Sequence, residues 1–197
     1  MPWPEDDVHL WTGVPRVEEV LRAYLGAEPH IELGPHGKPR VDGLHFNLSH
    51  SGHLRVLAVA RHEVGVDVEI VSDRGDVNEL AAIGLPAEQA AQIAAVPANQ
   101  RNAVFHRLWV RHEARCKLHG VGLVAPLPAT QDVVIDLELG PGVAAALAVQ
   151  ASARSSAAWP PPITGLQWDA RTCSTGSSSS GRSAARSSAM RAPSSGR

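Results

Sequence analysis

The chain has 197 residues, 44% of them hydrophobic, and a formal net charge of −2. This length supports one sizeable hydrophobic core or two small ones. Its two cysteines, Cys116 and Cys173, are too few for a disulfide framework or a cysteine-rich zinc site. Because the sequence shows neither a membrane-spanning run nor a secretion signal, we expect a cytoplasmic protein with no membrane partner.

Apolar periodicity and turn residues predict the elements in chain order. Bulky apolar residues at helical spacing predict a helix that ends at Gly26, and alternating runs predict strands. The predicted elements are a helix at 17–25, strands at 44–48, 54–60 and 64–70, helices at 86–95 and 99–118, and a hairpin of 132–139 and 143–149. The class is therefore α+β with mostly antiparallel strands.

The last part of the chain has a different composition. Residues 151–197 contain six arginines and one acid, a net charge of +5, against −7 for residues 1–150. Residues 174–197 are almost wholly small or polar, too poor in apolar side chains to offset the entropy of ordering, so we expect disorder. With few charges and no interleaved aromatic residues, we expect no specific nucleic-acid binding.

Two acids, Asp67 and Glu69, stand two residues apart in the predicted strand 64–70. Alternation puts both carboxylates on one face and the valines on the other. Same-face positions are about 6.5–7 Å apart, so two acidic side chains could share one hard cation such as Mg²⁺. An amphipathic strand with a solvent-exposed acidic face has the same pattern, and spacing alone does not separate the two interpretations.

A third acid lies in the predicted helix 99–118. Trp109, Glu113 and Lys117 are four residues apart, which places them on one face of the helix. Glu113 and Lys117 could also be an ordinary i,i+4 surface pair. Taken alone, the helix favours that simpler interpretation.

Taken together and in order, these segments form a pattern that rarely arises by chance. The pattern consists of Gly37-Lys38-Pro39, Phe46-Asn47-Leu48-Ser49-His50-Ser51, Gly65-Val66-Asp67-Val68-Glu69, Trp109 with Glu113-Ala114 and Lys117, and Gly120-Val121-Gly122. Over about residues 17–149 it resembles the 4′-phosphopantetheinyl transferases of the Sfp type. Enzymes of that family transfer the phosphopantetheine arm of coenzyme A to a serine of a carrier protein.

The resemblance implies roles for particular residues. Asp67, Glu69 and Glu113 match the family's ligands for Mg²⁺, or Mn²⁺ in its place. Glu113 and Lys117 would be catalytic, with Glu113 taking the proton of the carrier serine and Lys117 pairing with a phosphate oxygen. Coenzyme A would be bound by Lys38, Ser49, His50 and Lys117. The expected partner is an apo acyl or peptidyl carrier protein, served by a monomeric enzyme.

The resemblance also implies a fold of two similar α+β halves with the active site between them. Only about 36 residues precede the Gly37-Lys38-Pro39 segment. We therefore expect a shortened N-terminal half at 1–36, a phosphopantetheinyl transferase domain at 37–150, and a basic low-complexity tail at 151–197. Two other functions stay open: a non-catalytic remnant that binds coenzyme A or metal, and a different metal-dependent phosphoesterase. Simple phosphoesterases would not need Lys38 or the Asn47–His50 motif.

One departure lies inside the helix motif, where His112 stands at the place of a family lysine. If that place supplies positive charge to phosphate, a neutral imidazole weakens it, and Arg111 or Arg115 could compensate in part. On this hypothesis, His112→Lys raises activity most above pH 7, where lysine is still charged.

Overall fold

The structure, a computed structural model, describes residues 7–14, 16–73, 75–151, 163–167 and 188–189. The helices are α1 (Val17–Leu25), α2 (Val77–Gly84), α3 (Ala87–Ala95) and α4 (Ala98–His119). The strands are β1 (Val8–Thr12), β2 (Glu32–Leu33), β3 (Pro39–Arg40), β4 (His45–Ser51), β5 (Leu54–Ala60), β6 (Val64–Ile70), β7 (Asp132–Asp136), β8 (Val143–Gln150), β9 (Ile163–Gln167) and β10 (Ser188–Ala189).

The strands form two larger sheets and one short hairpin. The first sheet has the order β10-β9-β1-β5-β4, the second has the order β6-β8-β7, and β2 pairs with β3. All of these pairs are antiparallel except β1 with β9, which is parallel. The predicted α+β class with mostly antiparallel strands is confirmed.

The two sheets share one hydrophobic core. Its buried members come from alternate positions of β1, β5, β6 and β8 and include Val8, Leu10, Val56, Ala58, Val64, Val66, Val68, Leu147 and Val149. Helix α1 covers the other face of the first sheet through Val20 and Leu21. Its C-terminal cap is Gly26, which adopts φ 70° and binds the Arg22 carbonyl, as the sequence predicts.

Helix α4 covers the other face of the second sheet. Val110, Ala114 and Leu118 pack on Ala146 and Ala148 of β8. The N-terminal part of α4 packs instead on α2 and α3 through a small core that includes Phe105. Strand β6 is therefore covered on both sides, by the first sheet and by α4. No helix of the described residues is long and apolar enough to cross a membrane.

The predicted elements between residues 17 and 149 are all present, with ends that differ by no more than three residues. Strand β1 and helix α2 were not predicted. Asp76 begins α2 as an N-cap whose carboxylate accepts the N–H groups of Asn78 and Glu79. Of residues 151–197, the structure describes only Ala151, β9 and β10, and the rest of the predicted disordered tail lies outside the described residues. The division into two halves and the shortened N-terminal half remain predictions.

Candidate active site

Polar side chains of β4 join the two sheets. Successive side chains of β4 alternate, so Phe46 faces α1 while Asn47, Ser49 and Ser51 face β6. Each of these three accepts a backbone N–H of β6. The bonds run from Val66 N to Asn47 Oδ1 (2.9 Å), from Val68 N to Ser49 Oγ (3.2 Å) and from Ile70 N to Ser51 Oγ (3.0 Å).

Asp67 lies at the centre of an acidic cluster and is only 2% exposed. Its Oδ1 accepts hydrogen bonds from Ser49 Oγ at 2.8 Å and from Lys117 Nζ at 2.6 Å. Burial raises the pKa of Asp67, although Lys117 and Ser49 act in the opposite direction. Since α4 covers this face of β6, the alternative of a solvent-exposed acidic strand is wrong for Asp67.

Glu69 and Glu113 complete the cluster from β6 and α4. Glu69 Oε2 accepts a hydrogen bond from Ser51 Oγ at 2.9 Å. Glu113 Oε2 lies 3.8 Å from Lys117 Nζ, which in turn is 3.0 Å from Ser49 Oγ. Burial raises the pKa of Glu113, and the charge of Asp67 acts in the same direction. Side chains from β4, β6 and α4 therefore meet, and Glu113 and Lys117 are more than a surface pair.

The side-chain types of the cluster suit a hard divalent cation. Carboxylate oxygens are the ligands that Mg²⁺ prefers. Asp67 Oδ2 is buried and has no hydrogen-bond partner among the described residues, so a cation would satisfy an acceptor that the protein does not. Within the described part of the chain, no three His, Cys, Asp or Glu side chains are already arranged around a metal position. The assignment of Asp67, Glu69 and Glu113 as ligands stays a prediction.

Lys38, which the sequence predicts as a coenzyme A contact, makes several hydrogen bonds within the protein. Its side chain is 8% exposed, and its Nζ donates to Glu63 Oε2 at 2.5 Å, Leu118 O at 2.7 Å and Val64 O at 3.3 Å. Burial lowers the pKa of Lys38, with the Glu63 carboxylate acting against it. The ammonium therefore satisfies a free carbonyl at the C-terminal end of α4.

Lys38 also lines a cavity of about 350 Å³ beside the β2–β3 hairpin. The basic side chains Arg40, His45 and Arg61 line it too, and none of the three cluster carboxylates does. His50 is exposed, and alternation along β4 sends its side chain to the opposite side of the strand from Ser49. The structure thus brings Ser49 and Lys117 together and places Lys38 and His50 elsewhere.

His112 turns away from the acidic cluster. It is 4% exposed, and its Nε2 lies 3.0 Å from the carbonyl oxygen of Leu123 and 3.6 Å from Cys116 Sγ. Since a carbonyl only accepts, Nε2 carries a proton in this contact. The two arginines offered as compensation are also engaged, Arg111 with Asp136 and Arg115 with Asp132. None of these contacts directs positive charge toward Asp67.

Asn47 and Ser51 also contact β6 at the site but were not predicted as site residues. A signal for them was present, because polar residues at every second position of an otherwise apolar strand indicate one polar face. Glu63 was likewise not predicted as the partner of Lys38. No pattern in the sequence marks that pair, because the two residues are 25 positions apart.

Comparison with known proteins bears on the part of the chain that holds the three carboxylates and Lys117. The sequence model of the 4′-phosphopantetheinyl transferase superfamily matches residues 63–159. Over these residues the chain is similar to that superfamily. This confirms the family resemblance, and the match begins after Lys38, Ser49 and His50.

Several individual 4′-phosphopantetheinyl transferases are similar to the chain. HetI of a Nostoc species is 30% identical over 131 residues, which are 61% of this chain and 55% of HetI. AcpT of Salmonella typhimurium is 34% identical over 105 residues, 51% of this chain and 55% of AcpT. A 4′-phosphopantetheinyl transferase of Bacillus subtilis is 35% identical over 95 residues, 47% of this chain and 42% of that protein. The chain spans about half the length of these relatives.

Proposed function

We propose that this protein transfers the 4′-phosphopantetheine group of coenzyme A to a serine of an acyl or peptidyl carrier protein, in a reaction that requires Mg²⁺. One observation carries the proposal. Lys117 Nζ contacts Asp67 and Ser49 and lies 3.8 Å from Glu113, so motif residues from three separate elements form one cluster. The relatives named as 4′-phosphopantetheinyl transferases support the same activity.

The reaction joins the serine oxygen to the phosphorus that bears pantetheine and breaks the pyrophosphate linkage of coenzyme A. The adenosine bisphosphate leaves, and the serine proton has to be taken up. Catalysis of such a transfer depends mostly on positioning and on neutralising negative charge. Asp67, Glu69 and Glu113 would hold Mg²⁺, which neutralises charge on the diphosphate when bound.

The protein's own side chains would carry out the remaining steps. Lys117, with 28% of its side chain exposed, can donate a charge-assisted hydrogen bond to a phosphate oxygen at the edge of the cluster. Glu113, 26% exposed, is accessible to an incoming serine hydroxyl and would accept its proton. In the cavity beside Lys38, Lys38, Arg40 and Arg61 outnumber the two carboxylates Asp42 and Glu63, and this small excess of positive charge would attract the anionic nucleotide.

A mass measurement tests the proposal. The 197-residue chain is mixed with coenzyme A, Mg²⁺ and an apo carrier protein, and the carrier is weighed by intact mass spectrometry. We expect the carrier to gain one phosphopantetheine group, with no gain in chelator. A carrier of unchanged mass in the presence of coenzyme A and Mg²⁺ contradicts the activity, and detectable coenzyme A binding would then favour a non-catalytic binding protein.

Matched variants tie the activity to the cluster. Glu113→Gln keeps the shape of the side chain but removes its charge and its basicity, and we expect transfer to fall by about a hundredfold or more. Glu88→Gln is the same change at an exposed position of α3 and should leave transfer unchanged. Asp67→Ala should also abolish transfer. Both site variants should retain the far-ultraviolet circular dichroism of the parent chain.

A monomeric state and a cytoplasmic location stay predictions from the sequence. Sedimentation of the purified chain tests the first, and fractionation of cells that express it tests the second.

A further inference from the structure

Two serines of β4 make the same pair of contacts with two successive acids of β6. Ser49 Oγ accepts the N–H of Val68 and donates to Asp67 Oδ1. Ser51 Oγ accepts the N–H of Ile70 and donates to Glu69 Oε2, at 3.0 Å and 2.9 Å. Each hydroxyl thus binds an acid and the amide of the residue that follows it.

The two contacts of Ser51 fix the direction of its hydroxyl proton. A serine hydroxyl has one proton to donate and lone pairs that accept. Because the N–H of Ile70 already occupies a lone pair, the proton is directed to the remaining neighbour, the carboxylate of Glu69. Glu69 is only partly buried, and a long flexible side chain at such a position has several rotamers. The hydrogen bond from Ser51 favours the rotamers that keep the carboxylate beside this hydroxyl.

We propose that Ser51 is a positioning residue for the metal site, which acts by holding the carboxylate of Glu69 beside that of Asp67. This inference rests on the proposed function, since it concerns the cation of the same site. Residues that orient a metal ligand by hydrogen bonding typically alter metal affinity by about 10–100-fold when they are replaced. Ser51 donates such a hydrogen bond to Glu69.

Asn47 provides the comparison that separates positioning from support of the fold. It occupies the same face of β4 and accepts the N–H of Val66 at 2.9 Å, so it joins the two sheets as the serines do. The residue before Val66 is Gly65, which has no side chain to bind. Replacing Asn47 therefore breaks a bond between the sheets and leaves the contacts of both acids in place.

The experiment measures Mn²⁺ binding to the 197-residue chain by the loss of the free-ion electron paramagnetic resonance signal. Ser51→Ala should weaken Mn²⁺ affinity about tenfold or more. Ser51→Thr keeps the hydroxyl and should restore affinity to within about threefold of the parent. Asn47→Ala should lower the thermal midpoint and leave Mn²⁺ affinity within about twofold of the parent. Circular dichroism identifies any variant that has unfolded.

Three results would overturn the inference: a parent chain that binds no Mn²⁺, a Ser51→Ala variant that binds as the parent does, or an Asn47→Ala variant that loses as much affinity as Ser51→Ala. In the last case the hydrogen bonds between β4 and β6, and not the hydroxyl of Ser51, determine Mn²⁺ affinity. The carrier-loading assay is scored separately. Unloaded carrier together with the expected Mn²⁺ pattern would remove the proposed transferase activity and leave the positioning role standing.

Discussion

Lys117 shows how a single basic side chain can stabilise a buried carboxylate. Asp67 is 2% exposed, and a buried carboxylate without a partner is unfavourable. The Lys117 ammonium at 2.6 Å supplies the opposite charge, and Ser49 adds a second donor. Lys117 is therefore the counter-ion that permits Asp67 to be buried.

His112 carries the first prediction at the scale of the residue. Since its imidazole is buried against the Leu123 carbonyl, His112→Lys puts an ammonium into a site that has no carboxylate partner among its described contacts. We expect the variant to lose about 1–3 kcal/mol of unfolding free energy. As the pH increases above 7, the ratio of variant to parent transfer rates should not increase. Urea unfolding and rates across pH measure both quantities.

A rate ratio that rises above one as pH increases would contradict this prediction. It would restore the hypothesis that position 112 serves the phosphates. Arg111→Lys is a useful control, because Arg111 lies beside His112 in the sequence but points to Asp136, where a lysine keeps the charge.

At the residue level, spacing could predict which side chains share a face but not which of them meet across the fold. Alternation correctly put Asp67 and Glu69 together, and helical spacing correctly put Glu113 beside Lys117. The environment of Lys38 could not be predicted, because its acceptors include the carbonyl of Leu118, 80 residues away. The direction of His112 likewise depends on the loop that follows α4.

At the scale of the element, the approach of α4 to β6 determines whether the cluster can form. Gly65 makes this approach possible. A Cβ at this position would lie 2.1 Å from the Ala114 carbonyl oxygen and 2.4 Å from the Leu118 nitrogen, both backbone atoms of α4. Only a residue without a side chain fits there, and α4 carries Glu113 and Lys117.

Gly65→Ala is the second prediction. The added methyl group has to push α4 away from β6, which should cost about 1–3 kcal/mol of unfolding free energy. Because the shift separates Glu113 and Lys117 from Asp67, transfer should fall by more than the loss of folded protein explains. Gly122→Ala is the control, since nothing lies within 4 Å of a Cβ at Gly122. An unfolding midpoint of Gly65→Ala equal to that of the parent would show that α4 does not lie this close to β6.

A second junction, between α4 and β7, is centred on Asp132, whose side chain is 1% exposed. It accepts hydrogen bonds from His119 Nε2 at 2.9 Å, Arg115 Nε at 3.0 Å and Thr130 Oγ1 at 2.9 Å. Burial acts to raise the pKa of Asp132, but these donors together outweigh it and lower the pKa. The ionised form is thus favoured in the folded chain.

This junction gives the third prediction. A carboxyl whose pKa is lower in the folded state contributes stability that is present above its unfolded pKa, about 3.9, and is lost as pH falls through the folded value. Asp132→Asn should therefore lower unfolding free energy by about 1–3 kcal/mol at pH 7, with a difference from the parent that shrinks below about pH 4. Urea unfolding at pH 7, 5 and 3 measures this difference.

Asp136→Asn provides the matched control for Asp132→Asn. Asp136 is paired with Arg107 and Arg111 but is 34% exposed, so its loss should cost only about 0–1 kcal/mol. A difference between Asp132→Asn and parent that stays constant from pH 7 to pH 3 would contradict the assigned role of the carboxylate.

Elements with strong periodicity could be predicted from the sequence, and elements that depend on tertiary pairing could not. Helices α1 and α4 and strands β5 and β6 lie where their apolar spacing put them. Strand β1 was missed because five residues with His9 and Trp11 show no clean alternation, and the strand is stabilised by pairing with β5. Helix α2 had a usable signal in its N-cap, Asp76.

At the scale of the whole molecule, the class could be predicted, whereas the order of strands in each sheet could not. That order depends on which edges meet after collapse, as when β9 aligns in parallel with β1. The contact between the two sheets likewise depends on tertiary packing. Along this contact, side chains of β4, and not backbone carbonyls, accept the N–H groups of β6.

The C-terminal part of the chain carries the last prediction, tested with two truncations. Removing residues 174–197 takes away segments of disordered composition and the two-residue strand β10, so the thermal midpoint and transfer activity should stay within error of the parent. Removing residues 152–197 also takes away β9, which pairs with all five residues of β1. Stopping at Ala151 keeps its hydrogen bond to the Gln131 carbonyl, so the end of β8 is unaffected.

The longer truncation exposes one edge of β1, whose Val8 and Leu10 belong to the core between the sheets. We expect its midpoint to fall by about 4 °C or more, which corresponds to about 1–2 kcal/mol for a chain of this size. Equal midpoints for the two truncations would show that β9 adds nothing to the fold. An equal fall in both would show instead that residues 174–197 are part of the folded structure and that their composition is a poor guide to their state.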